Sequence, residues 1–140
     1  MKYLNKISGP LLDRIDIHIE VTPVAFDELA EERNSESSAD VRERVIQARK
    51  VQEARYVDQD IHCNAQIASR QLRELCRIDE AGQALLKKAM ERLGLSARAY
   101  DRILKVARTI ADMDSSERIS TQHLAEAIQY RSLDREGWAG

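Results

Sequence analysis

Apolar and polar residues alternate along one short stretch near the start of the chain. From position 15 to position 21 every second residue is apolar, with polar residues between them: Ile15, Ile17, Ile19 and Val21 against Asp16, His18 and Glu20. A period of two residues is typical of a half-buried β-strand. The pattern therefore predicts one strand, with His18 on its solvated face and a short helix before it that begins at Pro10.

The sequence after this stretch has the three-to-four-residue spacing of amphipathic helices. It predicts a short helix within residues 24–32 and longer helices over 39–55, 64–76, 79–93, 96–113 and 120–131. Residues that can accept a hydrogen bond from a first helical turn stand where the longer helices would begin: Ser37, Asn64, Asp79, Ser96 and Ser120. Gly94 is expected to end the helix over 79–93, because glycine adopts the left-handed conformation readily.

Two of these helices have an apolar face that we expect to be buried. In the helix over 39–55 that face consists of Val41, Val45, Ala48 and Val51. In the helix over 96–113 it consists of Tyr100, Ile103, Leu104, Ala107, Ile110 and Ala111. The fold class predicted is therefore mainly α: a bundle of four to five helices preceded by one strand.

A single strand leaves backbone N–H and C=O groups unpaired on both of its edges. We therefore expect the strand over 15–21 to belong to a sheet whose other strands lie outside this sequence, so that the chain would be the C-terminal part of a larger protein. The alternatives are pairing with a second copy, or disorder. The predicted division is the end of a larger domain at 1–23, a linker or hinge at 24–40, a helical domain at 41–131 and a frayed tail at 132–140.

Composition and charge narrow the class of protein. With 140 residues, 33% of them charged and 43% hydrophobic, the chain is expected to be a soluble, helix-rich domain. The net charge of −2 provides no overall attraction to nucleic acid or membranes. No apolar run approaches the roughly 18 residues of a membrane helix. Cys63 and Cys76 lack the spacing of a zinc site and are expected to be free thiols in a reducing cytoplasm.

The sequence contains none of the common motifs of a complete enzyme. It has no Gly-x-x-x-x-Gly-Lys-Ser/Thr phosphate loop, no Gly-x-Gly-x-x-Gly and no nucleophile motif. The three histidines, His18, His62 and His123, are expected to be solvated and not catalytic.

Two arginines remain as candidates for a binding role. Arg14 stands between the short helix and the strand, at a junction that would hold its guanidinium on rigid backbone. Arg98 stands in the first turn of the helix that follows Ser96, where a cation opposes the helix dipole. Such a local conflict often marks a functional position. The alternatives are a surface ion pair for Arg14 and a solvated side chain for Arg98.

Two long segments resemble a known family. "SGPLLDRIDIHIEV" over 8–21 is similar to the end of the ATPase core in the magnesium-chelatase-related AAA+ family, and residues 93–131 are similar to that family's C-terminal helical lid. The resemblance is strongest to its competence-protein (ComM- and YifB-like) branch. It covers nearly the whole chain and is weakest between positions 24 and 76.

The resemblance implies roles for both arginines. Arg14 matches the arginine finger, which reaches the γ-phosphate of a nucleotide bound by the neighbouring subunit. Arg98, in Ser96-Ala97-Arg98, matches the sensor-2 arginine, which touches nucleotide phosphates from the lid. The full-length protein would then be an ATPase using ATP and Mg²⁺. This chain alone would bind neither and would be inactive, because the phosphate loop and the acidic Mg²⁺-binding residues are absent from it.

The resemblance also implies partners. The full-length protein would be a cytoplasmic homo-oligomeric ring, a hexamer by analogy, that remodels DNA by helicase-like branch migration during transformation, whereas this chain alone would be a monomer. One alternative is the ATPase subunit of magnesium chelatase itself. Another is a non-enzymatic helical module that binds protein or nucleic acid. For nucleic acid it would use two basic stripes. The first consists of Arg98, Arg102, Lys105 and Thr109, with Arg108 near it, and the second of Arg70, Arg73 and Arg77.

Overall fold

The computed structural model describes residues 8–23 and 35–131, and over these residues the regular structure is helical. A one-turn helix α1 (Gly9–Leu12) is followed by α2 (Ser38–Arg55), a short α3 (Leu72–Leu75), α4 (Glu80–Leu93), α5 (Ala97–Met113) and α6 (Thr121–Gln129). Two single 3₁₀ turns, Asn64–Gln66 and Ser69–Gln71, precede α3. The predicted mainly helical fold class is confirmed.

Four of the predicted helix starts are confirmed by side-chain caps. The cap residue of each accepts a hydrogen bond from the backbone N–H three positions on: Ser37 from Asp40 at 3.2 Å, Asp79 from Gly82 at 2.7 Å, Ser96 from Ala99 at 3.2 Å and Ser120 from His123 at 3.4 Å. Gly94 ends α4 with φ of 61°, as predicted. Each cap stabilises its helix by about 1 kcal/mol, so the helix boundaries are encoded locally.

The core lies where α6 packs against both α4 and α5, and α2 packs against α5. The inner face of α5 is buried as predicted at Ile103, Leu104, Ala107 and Ala111. Tyr100 was also expected there, but it is 38% exposed because it lies in the first turn, beside an open groove.

The predicted strand is wrong. Residues 15–21 form no strand, and their burial does not alternate: all of them are exposed except His18, which is only 5% exposed. The backbone N–H of His18 donates to the carbonyl of Tyr130, 2.8 Å away, at the end of α6. His18 is buried because this contact attaches the segment to α6, so it is not the solvated residue that the alternation predicted.

The valine face of α2 is also not buried. Val41, Val45 and Val51 are each about 40% exposed, and the buried residues of α2 are Ala48 and Gln52. The helix itself was predicted correctly. The buried residues Ala48 and Gln52 lie on the same helical face as Arg55, which donates to Asp112 of α5, so this face and not the valine face is turned toward α5.

Two further predictions need correction. The helix expected over 64–76 is divided into two 3₁₀ turns and α3, because Asn64 is buried by tertiary hydrogen bonds and does not cap a helix. His123, expected to be solvated, is 7% exposed, and its Nδ1 accepts the backbone N–H of Ser120 at 3.1 Å. The helix predicted within 24–32 and the frayed tail at 132–140 lie outside the described residues, so the predicted domain division stays a prediction.

Candidate functional site

Arg14 lies in the turn that follows α1. Its backbone N–H donates to the carbonyl of Leu11 at 3.0 Å, which closes the turn. The side chain is exposed, and no hydrogen bond or ion pair joins its guanidinium to any residue in the described ranges. A cation held on ordered backbone without a carboxylate partner is free to meet an anion from outside.

Arg98 lies in the first turn of α5, where Ser96 caps the helix. This turn contains no acidic residue, so the positive end of the helix dipole is not neutralised by a side chain of its own helix. The Arg98 side chain is exposed, and within the described part of the chain it has no hydrogen-bond or ion-pair partner. The capped helix end and the guanidinium together make a donor set that fits a phosphate group.

The segment that carries Arg14 is attached to the helical bundle at three places. The guanidinium of Arg131, just after α6, donates to the carbonyls of Leu12 and Ile15. His18 joins the carbonyl of Tyr130 through its backbone N–H. Two further contacts complete the attachment: Arg102 Nη1 with Asp16, and Arg131 Nη2 with Asp13 Oδ1 at 4.0 Å. Within the segment itself, His18 Nε2 lies 3.3 Å from the Leu12 carbonyl. The segment with the candidate finger is therefore hydrogen-bonded to the helical bundle that carries the candidate sensor.

A buried polar network centred on Asp112 was missed by sequence reasoning. Its side chain is fully buried and accepts hydrogen bonds from both Arg55 and Arg108 and, at 2.8 Å, from Asn64 Nδ2. Arg108 also donates to the backbone carbonyls of Glu117 and Ser116, at 2.9 and 2.6 Å. Arg108 and Asp112 are four residues apart on the buried face of α5, and that spacing was the available signal.

Asn64 connects the network to α2. Its Oδ1 accepts from Tyr56 Oη at 2.6 Å and from Arg55 Nη1 at 3.2 Å, and its backbone N–H donates to Gln52 Oε1 at 2.9 Å. Its Nδ2 also donates to Thr109 Oγ1 at 3.0 Å. One amide thus joins α2 to α5, so the network fixes the position of α2.

The ionisation of this region follows from its burial and pairing. The hydrogen bond with Asp112 raises the pKa of Arg55, and burial raises the pKa of Tyr56 above its usual value. Burial also raises the pKa of the Cys76 thiol to about 11. Arg55 therefore stays charged and Cys76 stays a neutral thiol near pH 7, so Cys76 is a structural residue and not a nucleophile.

The two basic stripes differ in their surroundings. On α5, Arg102 pairs with Asp16 and Lys105 Nζ donates to the carbonyl of Ala65 at 3.1 Å, so only Arg98 is free of partners in the described ranges. The second stripe, Arg70, Arg73 and Arg77, is exposed. The α5 stripe thus presents less free charge than its sequence suggests.

Neither candidate arginine lines either of two grooves on the described part of the structure. A groove of about 1520 Å³ runs between the 73–80 segment, α4 and the start of α6, but neither Arg14 nor Arg98 lines it. Arg14 and Arg98 lie on different elements without a shared partner among the described residues.

Among the described residues there is no cluster of three side chains that could hold a metal ion. None of the helices there is long and apolar enough to cross a membrane.

Comparison with known proteins identifies relatives over most of the chain. Competence protein ComM of Haemophilus influenzae is 42% identical over 136 residues, and the uncharacterized protein YifB of Escherichia coli is 42% identical over 137 residues. An uncharacterized protein of Mycobacterium tuberculosis is 32% identical over 130 residues. These matches cover 96%, 96% and 93% of this chain and 26% of each relative, so the chain spans about a quarter of their length.

Two family models divide the chain between them. The model described as "Magnesium chelatase, subunit ChlI" matches residues 1–29, which include Arg14. The model described as "Magnesium chelatase, subunit ChlI C-terminal" matches residues 35–131, which hold Arg98, the Asp112 network and Arg131. The helical bundle over 35–131 therefore belongs to the magnesium chelatase subunit ChlI C-terminal family.

Proposed function

We propose that this chain is the C-terminal part of a ring-forming AAA+ ATPase, in which Arg14 is the arginine finger and Arg98 is the sensor-2 residue. One observation carries the proposal. In a chain of this family, both guanidiniums are exposed at the ends of ordered elements, and neither has a carboxylate partner among the described residues. The nucleotide and its Mg²⁺ would be held by parts of the full-length protein outside this sequence.

The two arginines act on opposite sides of the nucleotide. Arg98 donates hydrogen bonds to the phosphates of the nucleotide bound by its own subunit, together with the N–H groups at the start of α5. Arg14 donates to the γ-phosphoryl oxygens of the nucleotide bound by the next subunit. As the bond between the γ-phosphorus and the bridging oxygen of ADP breaks, Arg14 stabilises the charge that develops on those oxygens.

Arginine suits both positions better than lysine does. A guanidinium stays charged at any physiological pH, and its planar fork can donate two parallel hydrogen bonds to one phosphate. The fork also needs a fixed origin in order to reach a defined atom, and the turn after α1 and the capped start of α5 each supply one.

We propose DNA as the substrate of the ring, moved by branch migration during the uptake of DNA. The likeness to a protein named for competence supports this choice. The ATPase subunit of magnesium chelatase is the second candidate, favoured by the description of the matching family. Both use the same two arginines, so the ATPase proposal does not depend on which substrate is correct.

Substitutions in the full-length protein test the two roles separately. Arg14→Ala should lower the kcat of ATP hydrolysis by about 10³–10⁵-fold, because the finger acts on the transition state, and should leave ATP affinity nearly unchanged. Arg98→Ala should weaken ATP binding by about 10–100-fold, the worth of one lost hydrogen bond to a charged group. Hydrolysis and fluorescent-nucleotide binding are measured on assembled rings.

The matched control is Arg49→Ala, which removes an exposed arginine from α2 and should change neither quantity. Loss of ATP binding in Arg14→Ala would contradict the finger role. Unchanged binding in Arg98→Ala would contradict the sensor role.

A further inference from the structure

Arg131 is a buried cation that donates hydrogen bonds to the backbone of the turn around Arg14. The residue is 0% exposed, at the C-terminal end of α6, 117 positions from Arg14 in the sequence. Its Nη1 donates to the carbonyl of Ile15, and its Nη2 donates to the carbonyl of Leu12 at 3.4 Å. These two carbonyls are on either side of Arg14, so the guanidinium bridges the backbone of the turn that carries the candidate finger.

The rest of the turn is closed by its own backbone. The backbone N–H of Arg14 donates to the carbonyl of Leu11, and the backbone N–H of Ile15 donates to the carbonyl of Leu12, each at 3.0 Å. The Arg14 side chain is left exposed while the peptide groups around it are held. Burying a charged guanidinium costs several kcal/mol unless its donors are satisfied, and the carbonyls of Leu12 and Ile15 satisfy one donor on each terminal nitrogen of Arg131.

We infer that Arg131 is a positioning residue for Arg14, and that through it the lid sets the place of the arginine finger of the same subunit. This inference rests on the proposed function of Arg14. Because Arg131 follows α6, and α6 packs on α5, the finger and the sensor residue Arg98 are parts of one mechanical unit. A lid movement caused by nucleotide in one subunit would then displace the finger that acts on the nucleotide of its neighbour.

Arg131→Lys in the full-length ring is the direct test. An ammonium is a point charge and cannot hold two carbonyls on either side of Arg14 in the way that a planar fork does. Displacing a catalytic group by about 1 Å can cost about 10²-fold in rate, so we expect kcat to fall by about 10–100-fold with little change in KM for ATP. Arg118→Lys, the same replacement at an exposed site, is the matched control and should keep the wild-type kcat.

Mixed rings separate a displaced finger from a damaged subunit. Arg131→Lys subunits are mixed with subunits whose phosphate loop, outside this sequence, has been disabled. A variant with an intact nucleotide site and a misplaced finger regains activity beside a partner that supplies a correct Arg14, as Arg14→Ala should also do. No recovery on mixing would overturn the inference, because a merely structural defect harms the variant's own nucleotide site.

Hydrogen exchange gives a second readout that does not depend on catalysis. In Arg131→Lys the amides of Arg14 and Ile15 should exchange faster, while those in the middle of α5 keep their protection. Unchanged exchange at both amides would overturn the inference.

The outcomes also distinguish this inference from the proposed function. If Arg14→Ala rings are inactive but Arg131→Lys rings hydrolyse ATP at the normal rate, only the positioning role is refuted. Arg14→Ala rings that hydrolyse ATP normally would remove the finger and its positioning together.

Discussion

At the scale of single residues, the pairing of buried charges explains contacts of α5 that its hydrophobic pattern does not. Asp112 and Arg108 are buried on the apolar face of α5, and each is hydrogen-bonded to partners that are distant in sequence or in the loop after the helix. The spacing of apolar residues on α5 predicted its inner face at Ile103 and Leu104 but assigned no role to this pair. A polar side chain is stable in the interior only when it is hydrogen-bonded, and the partners that provide these hydrogen bonds come from elsewhere in the chain.

Asp112→Asn should be strongly destabilising. It keeps the shape of the side chain but removes the charge that Arg55 and Arg108 share, leaving two guanidiniums without a counter-ion in a buried site. We expect the free energy of unfolding, measured with urea, to fall by about 3–5 kcal/mol. Asp114→Asn is the matched control, because the side chain of Asp114 is 74% exposed and pairs only with His123. It should cost less than about 1 kcal/mol, and equal losses for the two variants would refute the role of the network.

At the scale of helices, local signals set the boundaries and tertiary contacts set the burial. Ser37, Asp79, Ser96 and Ser120 were each predicted to begin a helix, and each does. The predicted burial of α2 was wrong at its three valines, because the face turned toward α5 carries Ala48, Gln52 and Arg55. Caps act within one helical turn, whereas burial of a face requires a second element to lie against it.

The close packing of α4 on α6 at Gly82 provides a test at this scale. A Cβ added there would lie 2.9 Å from Leu124 Cδ1 and 3.2 Å from both Asp79 Oδ1 and Ile78 Cβ. The gain in helix propensity from alanine is about 1 kcal/mol, whereas overpacking costs about 1–3 kcal/mol. Because Leu124 is completely buried, we expect Gly82→Ala to lower the free energy of unfolding by about 1 kcal/mol.

Thermal or urea unfolding of Gly82→Ala and its parent measures the change. In a Leu124→Val background, which shortens the side chain that clashes, the same glycine substitution should cost less. An identical cost in both backgrounds, or a more stable Gly82→Ala, would show that the contact with Leu124 does not cause the loss of stability.

At the scale of the whole molecule, the segment at 8–18 and the helical bundle are connected by contacts that sequence patterns could not reveal. The alternation over 15–21 predicted a strand, but His18 is buried against the end of α6 instead. The roles of Arg14 and Arg98 came from resemblance, and the structure adds that both side chains are exposed. Among the described residues neither guanidinium has a hydrogen-bond or ion-pair partner, so the groups that would complete a site with them are not found there.

The proposed action on DNA would be a property of the whole ring, and it is tested at that scale. Full-length rings with ATP should move a four-way DNA junction, and rings carrying Arg14→Ala should bind that junction but not move it, because binding does not need the finger. Junction binding should also weaken steeply as salt rises, since phosphate contacts release counterions. Rings that hydrolyse ATP but leave the junction unmoved would remove the DNA proposal while the ATPase proposal stands.

The sequence by itself determined the helical class, the caps at four helix starts and the end of α4 at Gly94, because these depend on hydrogen bonds and backbone preferences within a few residues. It also carried the family resemblance that led to Arg14 and Arg98. Only the tertiary structure decided which faces are buried, why Asn64 interrupts a predicted helix, and that Arg131 holds the turn around Arg14. Those outcomes depend on groups brought together from up to 119 positions apart, and no local pattern contains that information.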